Sequence, residues 1–199
     1  MTIAPSPRRI GAKDSKTRAQ LLDAAERLLL EEGYAAVTSR RLAASAGLKP
    51  QLVHYYFRTM DDLFLEVFRR RADENMARFE RAIAEDGSLE NLWRLNADPR
   101  GATFNIAFIS LAHHRKAIRA EIARYAERFR TAQLDAMRAA LAQRGVGEDQ
   151  LPPVVALLLT TGLSQVMALE GLLGVTLGHD TTVAFIERTI AQLGGSPEL

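Results

Sequence analysis

The chain has no cysteine, only seven prolines, a single tryptophan and an aromatic fraction of 7%. Without cysteine there is no disulfide framework, no thiolate metal site and no thiol nucleophile. A reducing compartment suits that composition, and the expected location is cytoplasmic. No Gly-x-Ser-x-Gly, no phosphate-cradling glycine loop and no His-Glu-x-x-His occurs, so the chain is read as a non-enzyme with no cofactor. His113 and His114 are adjacent, cannot share one helix face and lack spaced carboxylate or histidine companions, so no metal site is expected. No segment sustains the period-two alternation of a half-buried strand. The first sixteen residues, MTIAPSPRRIGAKDSK, hold no apolar signal region. The longest apolar stretch, Val154 to Leu163, is short for a bilayer and is followed by Ser164, Gln165 and Glu170. The expectation is a soluble protein with no membrane partner.

What is present is ordinary globular material: 199 residues, 47% hydrophobic and 25% charged. That is enough for one large domain, or for a small domain joined to a medium one. The net charge of +2 hides an asymmetry. Residues 1–60 carry ten basic and five acidic side chains, a balance of +5, and the remaining 139 carry sixteen and nineteen, a balance of −3. A basic end on a slightly acidic body suits a polyanion-binding module, although a solvated basic tail has the same composition.

Residues 1–14, with Pro5, Pro7 and Gly11, read as an arm. From Ser15 or Lys16, Leu21, Ala25, Leu28 and Leu29 mark one helical face up to Gly33. Thr38-Ser39 offers an N-cap for a short helix that buries Leu42, Ala43 and Ala46 and stops at Gly47. Pro50 suits the first turn of a third helix, where its missing N–H is no loss. That helix, to Phe57, puts Leu52, Val53, Tyr56 and Phe57 on one face and Gln51, His54, Tyr55 and Arg58 on the other. Thr59 with Asp62 forms a capping box for a fourth helix reaching about Glu85, a rod about 40 Å long. Further helices are expected at about 89–95, 101–113, 115–143, 152–175 and 181–193. The fold class is all-α with about nine helices, and no internal repeat is visible.

A capped short helix, a glycine-containing turn and a second short helix with a polar face make a helix-turn-helix. Its second helix enters the major groove while the first crosses the phosphates. Gln51, His54 and Tyr55 can meet base edges. Thr38, Ser39 and Arg40 suit a phosphate, and Lys49 and Arg58 add cations beside the turn. Any polar surface helix shares this pattern in part.

The run from Gly33 to Phe57, GYAAVTSRRLAASAGLKPQLVHYYF, strongly resembles the DNA-binding domain of TetR-family transcriptional regulators. The resemblance covers about residues 16–65 and includes Thr38, Leu42-Ala43, Ala46-Gly47, the aromatic Tyr55-Tyr56-Phe57 and Asp61-Asp62-Leu63. The rest matches the family only in layout. Gln51 stands where the family often has a small residue, His54 where it often has Tyr, and Met60 where it usually has Lys. The phosphate contact of that Lys therefore does not transfer to Met60, and Arg58 is the nearest substitute.

The resemblance implies a helix-turn-helix domain at 15–58, a connecting helix at 59–85 and a ligand-binding and dimerisation domain at 86–199. It implies a sequence-specific, ligand-responsive repressor, a homodimer on a near-palindromic double-stranded DNA operator. Dimerisation through the last two helices is also suggested by their own content, since Val154, Leu157, Leu158, Leu163, Val166, Leu169, Leu172 and Leu173 are more apolar surface than one small body covers. The alternative is a helical partner-binding protein whose DNA binding is lost or altered. The small-molecule effector is expected to be largely apolar. Trp93, Phe104, Phe108, Phe129, Met137 and Met167 could line its cavity, with Asn105, His113, Tyr125 and Gln165 as orienting polar groups; each apolar member is also what a plain core would use.

Overall fold

The computed structural model describes residues 15–97 and 101–193. The expected arm at 1–14, Asp98-Pro99 and the Gly194-Gly195 stop lie outside the described residues. Among those described, nine α-helices and a 3-10 turn at Tyr34–Ala36 follow one another with no strand: α1 (Lys16–Glu32), α2 (Ser39–Ser45), α3 (Pro50–Tyr56), α4 (Met60–Glu85), α5 (Leu89–Asn96), α6 (Ala102–His114), α7 (Lys116–Gln143), α8 (Pro153–Leu172) and α9 (His179–Gln192).

The helix ends follow local chemistry. Gly33 takes φ +80° and its N–H bonds the Leu29 carbonyl, closing α1. The Thr38 hydroxyl accepts from the Arg41 N–H at 3.3 Å and opens α2. At the head of α4 the capping box is reciprocal: the Asp62 N–H donates to the Thr59 hydroxyl and the Thr59 N–H to the Asp62 carboxylate, both at 3.0 Å. Ser88 caps α5 by accepting from the Asn91 N–H at 3.2 Å.

Of the boundaries that differ from the sequence reading, three have a visible cause. The helix expected from Arg115 begins at Lys116, because Arg115 closes α6 by donating its N–H to the Ala112 carbonyl. Helix α8 stops at Leu172 rather than near Val175: Gly174 has φ +76°, and the Val175 N–H turns back to the Glu170 carbonyl at 3.0 Å. Helix α9 starts at His179, two residues before the expected Thr181. Gly178, at φ +86°, delivers the chain into the helix, and the His179 Nε2 meets the Glu170 carboxylate at 2.7 Å.

Helix α8 also changes the reading of the apolar stretch. It continues past Leu163 for twenty residues in all, with a mean hydropathy of 1.5, and is long and apolar enough to cross a membrane by length and composition. Its polar side chains do not break it, because the Thr161 hydroxyl bonds back to the Leu157 carbonyl at 2.7 Å and the Ser164 hydroxyl to the Thr160 carbonyl at 2.8 Å. One face buries Pro153, Ala156, Leu157, Thr161 and Ser164. The other leaves Val154, Val155, Leu158, Leu159, Leu163, Val166, Leu169 and Leu172 exposed.

The chain divides into two compact units. One runs to Asp73 and also takes in Phe104–Ala123; the other holds Glu74–Thr103 and the chain from Arg124 onward. In the first, α1 to α3 and the start of α4 bury Leu21, Leu29, Leu42, Val53, Leu63 and Phe64. Phe68 of α4 lies 5.3 Å from Phe108 of α6, and Phe104 lies 4.5 Å from Phe108. Ion pairs fasten these helices: Arg18 to Glu66 at 2.6 Å, Arg70 to Glu26 at 2.8 Å and Arg69 to Glu121 at 2.8 Å, with Arg115 paired to Asp61. The Arg69 guanidinium is held above its ordinary pKa, first by its hydrogen bond to Glu121. In the second unit, Phe79, Leu92, Trp93, Met137, Leu141, Leu157 and Ile190 belong to one core.

Candidate nucleic-acid interface

The α2–turn–α3 segment holds the polar face in place from beneath. Leu42 and Ala43 of α2, Val53 of α3 and Phe57 just beyond it are buried. Leu52 and Tyr56, expected on the same face, are half-buried. The turn is tight. Gly47 sits at φ +67°, a left-handed conformation that costs a side-chain-bearing residue energy, and the Leu48 N–H bonds the Ala43 carbonyl at 2.8 Å. Pro50 occupies the first turn of α3 and Lys49 its N-cap. Arg27 of α1 fixes α2 by donating to the Ser45 hydroxyl at 2.7 Å.

Above this underside, Gln51, His54 and Arg58 are exposed, and Tyr55 is 44% exposed. Thr38, Arg40 and Lys49 are exposed too, and Ser39 is half-buried. Seven of the eight residues proposed from sequence for DNA are thus exposed, with Ser39 half-buried among them. The Thr38 hydroxyl accepts the helix N–H but keeps its own hydrogen to donate. Arg41, beside Arg40, is paired with Glu32. Met60 is half-buried at the head of α4, whereas Arg58 is exposed.

Sequence reasoning missed what steadies the aromatic end. The Tyr55 ring meets the Tyr56 ring edge-on at 5.0 Å, and the Tyr56 hydroxyl lies 2.8 Å from that of Ser15. Arg18 stacks over Phe57, 5.3 Å from its centroid. Forty-one residues separate Ser15 from Tyr56, so no local pattern could disclose the pair.

The ten residues proposed for a ligand divide between the two units. Phe104 and Phe108 are buried in the first, and Asn105 and His113 are exposed on α6. In the second, Trp93 and Met137 are core, Phe129 and Met167 pack partly buried against it, and Gln165 is exposed. Tyr125 stacks on Phe129 at 5.6 Å, and its hydroxyl accepts from Asn75 at 2.8 Å. A polar pair not foreseen lies in the same unit: Gln133 Nε2 donates to Asn96 Oδ1 at 3.0 Å.

A short helix held edge to edge against its predecessor, buried below and polar and cationic above, defines the helix-turn-helix class of DNA-binding folds. Residues 21–67 match the family model of bacterial regulatory proteins, tetR family. It is 30% identical over 131 residues to the HTH-type transcriptional regulator BetI of Rhizobium meliloti, a match covering 61% of this chain and 64% of that protein. The chain therefore spans just under two thirds of that relative. Its fold is similar to a TetR-family transcriptional regulator from Rhodococcus sp., with a TM-score of 0.71 at 17% identity over 91% of this chain and 100% of the other. It is also similar to a transcriptional regulator from Saccharomonospora viridis solved in complex with choline, with a TM-score of 0.65 at 24% identity over 81% of this chain and 88% of the other. These two likenesses carry the all-α fold.

Proposed function

We propose that the chain is a DNA-binding transcriptional repressor, released by a small molecule, that acts as a homodimer on a near-palindromic operator and works in the cytoplasm by binding rather than by catalysis. The observation that carries this reading is the exposed α3 face over a buried underside. In it Gln51, His54 and Tyr55 read base edges in the major groove, while Thr38, Ser39, Arg40, Lys49 and Arg58 contact phosphates. Two copies of α3 enter successive major grooves about 34–36 Å apart. The match of residues 21–67 to the model of the tetR family of bacterial regulatory proteins supports the assignment.

The bare face of α8, with Phe185 exposed on α9, is the surface proposed to pair with a second copy. An apolar face of this extent is costly to leave in water. A bilayer would also cover it, but burial of Ala156, Leu157, Thr161 and Ser164 against the chain's own core favours a protein partner. The effector is a small, largely apolar molecule bound among the helices after α4; one structural neighbour was solved with a small molecule, the cation choline. It acts by preferring a dimer whose recognition helices are wrongly spaced, with α4, shared between the two units, as the transmitter.

The test is selection of bound fragments from the source genome, followed by affinity measurement at several salt concentrations. A repressor of this kind retrieves a palindromic site and loses affinity steeply as salt rises. A helical protein that binds only other proteins retrieves none.

A further inference from the structure

We propose that Asn96 and Gln133 are the polar anchor of the effector site, and that the effector presents an uncharged carbonyl-type oxygen on an otherwise apolar body. This deepens, and rests on, the reading of the chain as an effector-responsive regulator. Asn96 closes α5 and Gln133 lies in α7, both in the second unit. Gln133 is 7% exposed and its Nε2 donates to Asn96 Oδ1 at 3.0 Å. The other end of the Asn96 amide, Nδ2, is buried without a hydrogen-bond partner. Buried amide N–H groups are almost always paired, and an orphan disfavours the state that contains it.

The surroundings say what would complete it. Leu92 and Trp93 precede Asn96 by four and three residues, and Phe129 and Met137 flank Gln133 by four on either side, so helical spacing sets each amide in an apolar stripe. All four belong to or pack against the same core. A buried water needs two to four polar partners, and the four apolar side chains described around these amides supply none. Arg130, three residues before Gln133, is exposed rather than buried with the amides, so a carboxylate there would be desolvated with no buried counter-charge, and a neutral acceptor fits better. Because Nδ2 is buried, an occupant has to rearrange the packing around it. Binding therefore favours a rearranged unit, and that differential affinity is what an effector requires.

The probes are acetophenone and its hydrocarbon isostere α-methylstyrene, titrated into the full chain with the side-chain amide resonances followed by NMR. Acetophenone is expected to bind about tenfold more tightly and to shift the Asn96 and Gln133 amides. The Asn96→Leu/Gln133→Leu double variant, which removes both partners together, is expected to melt cooperatively and to reduce the preference to under twofold. Equal affinity of the two probes, no binding of either, shifts that bypass both amides, or a preference surviving the double variant would overturn the proposal. The unmutated protein alone decides the matter should the variant misfold. Genomic DNA binding is measured in parallel: acetophenone preference without any operator sinks the regulator reading and leaves the anchor, and an operator without preference does the reverse.

Discussion

The hydroxyls of Ser15 and Tyr56 lie 2.8 Å apart, tying the start of α1 to the end of α3. Tyr56 in turn carries the edge of the Tyr55 ring at 5.0 Å. The residue proposed to read a base is thus braced from the far end of the domain. Tyr56→Phe keeps the ring and removes the hydrogen bond. It should lower stability by about 0.5–1.5 kcal/mol in urea denaturation and weaken operator affinity less than loss of Tyr55 itself. No change in the urea midpoint would mean the pair does not brace the domain.

The capping box at the head of α4 carries a second expectation. Thr59→Ala and Asp62→Ala each remove one of the two reciprocal bonds, and each should cost about 1 kcal/mol. Since the two bonds act together, the double variant should cost less than the sum of the two single ones. Strict additivity in thermal melts would contradict the coupling.

Arg144 governs the end of the second unit. It donates to the carbonyls of Ile190 at 3.1 Å and Leu193 at 3.4 Å, and it pairs with Glu90. The hydrogen bond from Arg144 holds the Glu90 carboxyl below its usual value of 4.5. A carboxylate with a depressed folded pKa adds stability above the unfolded pKa and loses it as pH falls through the folded one. Glu90 is partly exposed, so that contribution is screened and small. Arg144→Met should therefore destabilise at pH 7, mainly through the uncapped carbonyls, and should flatten the stability decline below about pH 4.5. Denaturation curves at pH 7 and pH 3.5 that shift equally would count against the Glu90 share.

Much of this architecture was legible because it is written locally. Thr38, Thr59 and Pro50 announce helix starts, and Gly33, Gly47 and Gly145 take the positive φ that ends helices. The outward placement of Gln51, His54 and Tyr55 followed from helical period alone, since Val53 and Phe57 claim the buried side. What escaped the sequence depends on residues far apart in the chain. Ser15 finds Tyr56, Gln133 finds Asn96, and Arg18 finds Glu66, each across more than thirty-five positions. The early start of α9 depends on Glu170 reaching His179, nine residues on. The grouping of Phe104 and Phe108 with Phe68, in the unit that contains α1 to α3, likewise has no local signature.

The proposed pairing of two copies through α8 is open to direct assault. Leu159 and Val166 are exposed on its bare face. Sedimentation should give about twice the chain's 22.0 kDa for the unmutated protein. Leu159→Arg with Val166→Glu should give the single-chain mass with helical content preserved, and should abolish binding to a two-half-site operator. A dimer that survives both charges would place the interface elsewhere.

The proposed base-reading role of α3 is tested most directly by measuring the affinities of the unmutated chain, Tyr55→Ala and Arg40→Ala for the selected operator and for a scrambled duplex at one salt concentration. Tyr55→Ala is expected to lose about 1–3 kcal/mol on the operator and almost nothing on the scrambled duplex, while Arg40→Ala weakens both alike. Operator affinity left intact by Tyr55→Ala, with the fold preserved, would show that bases are not read by this face.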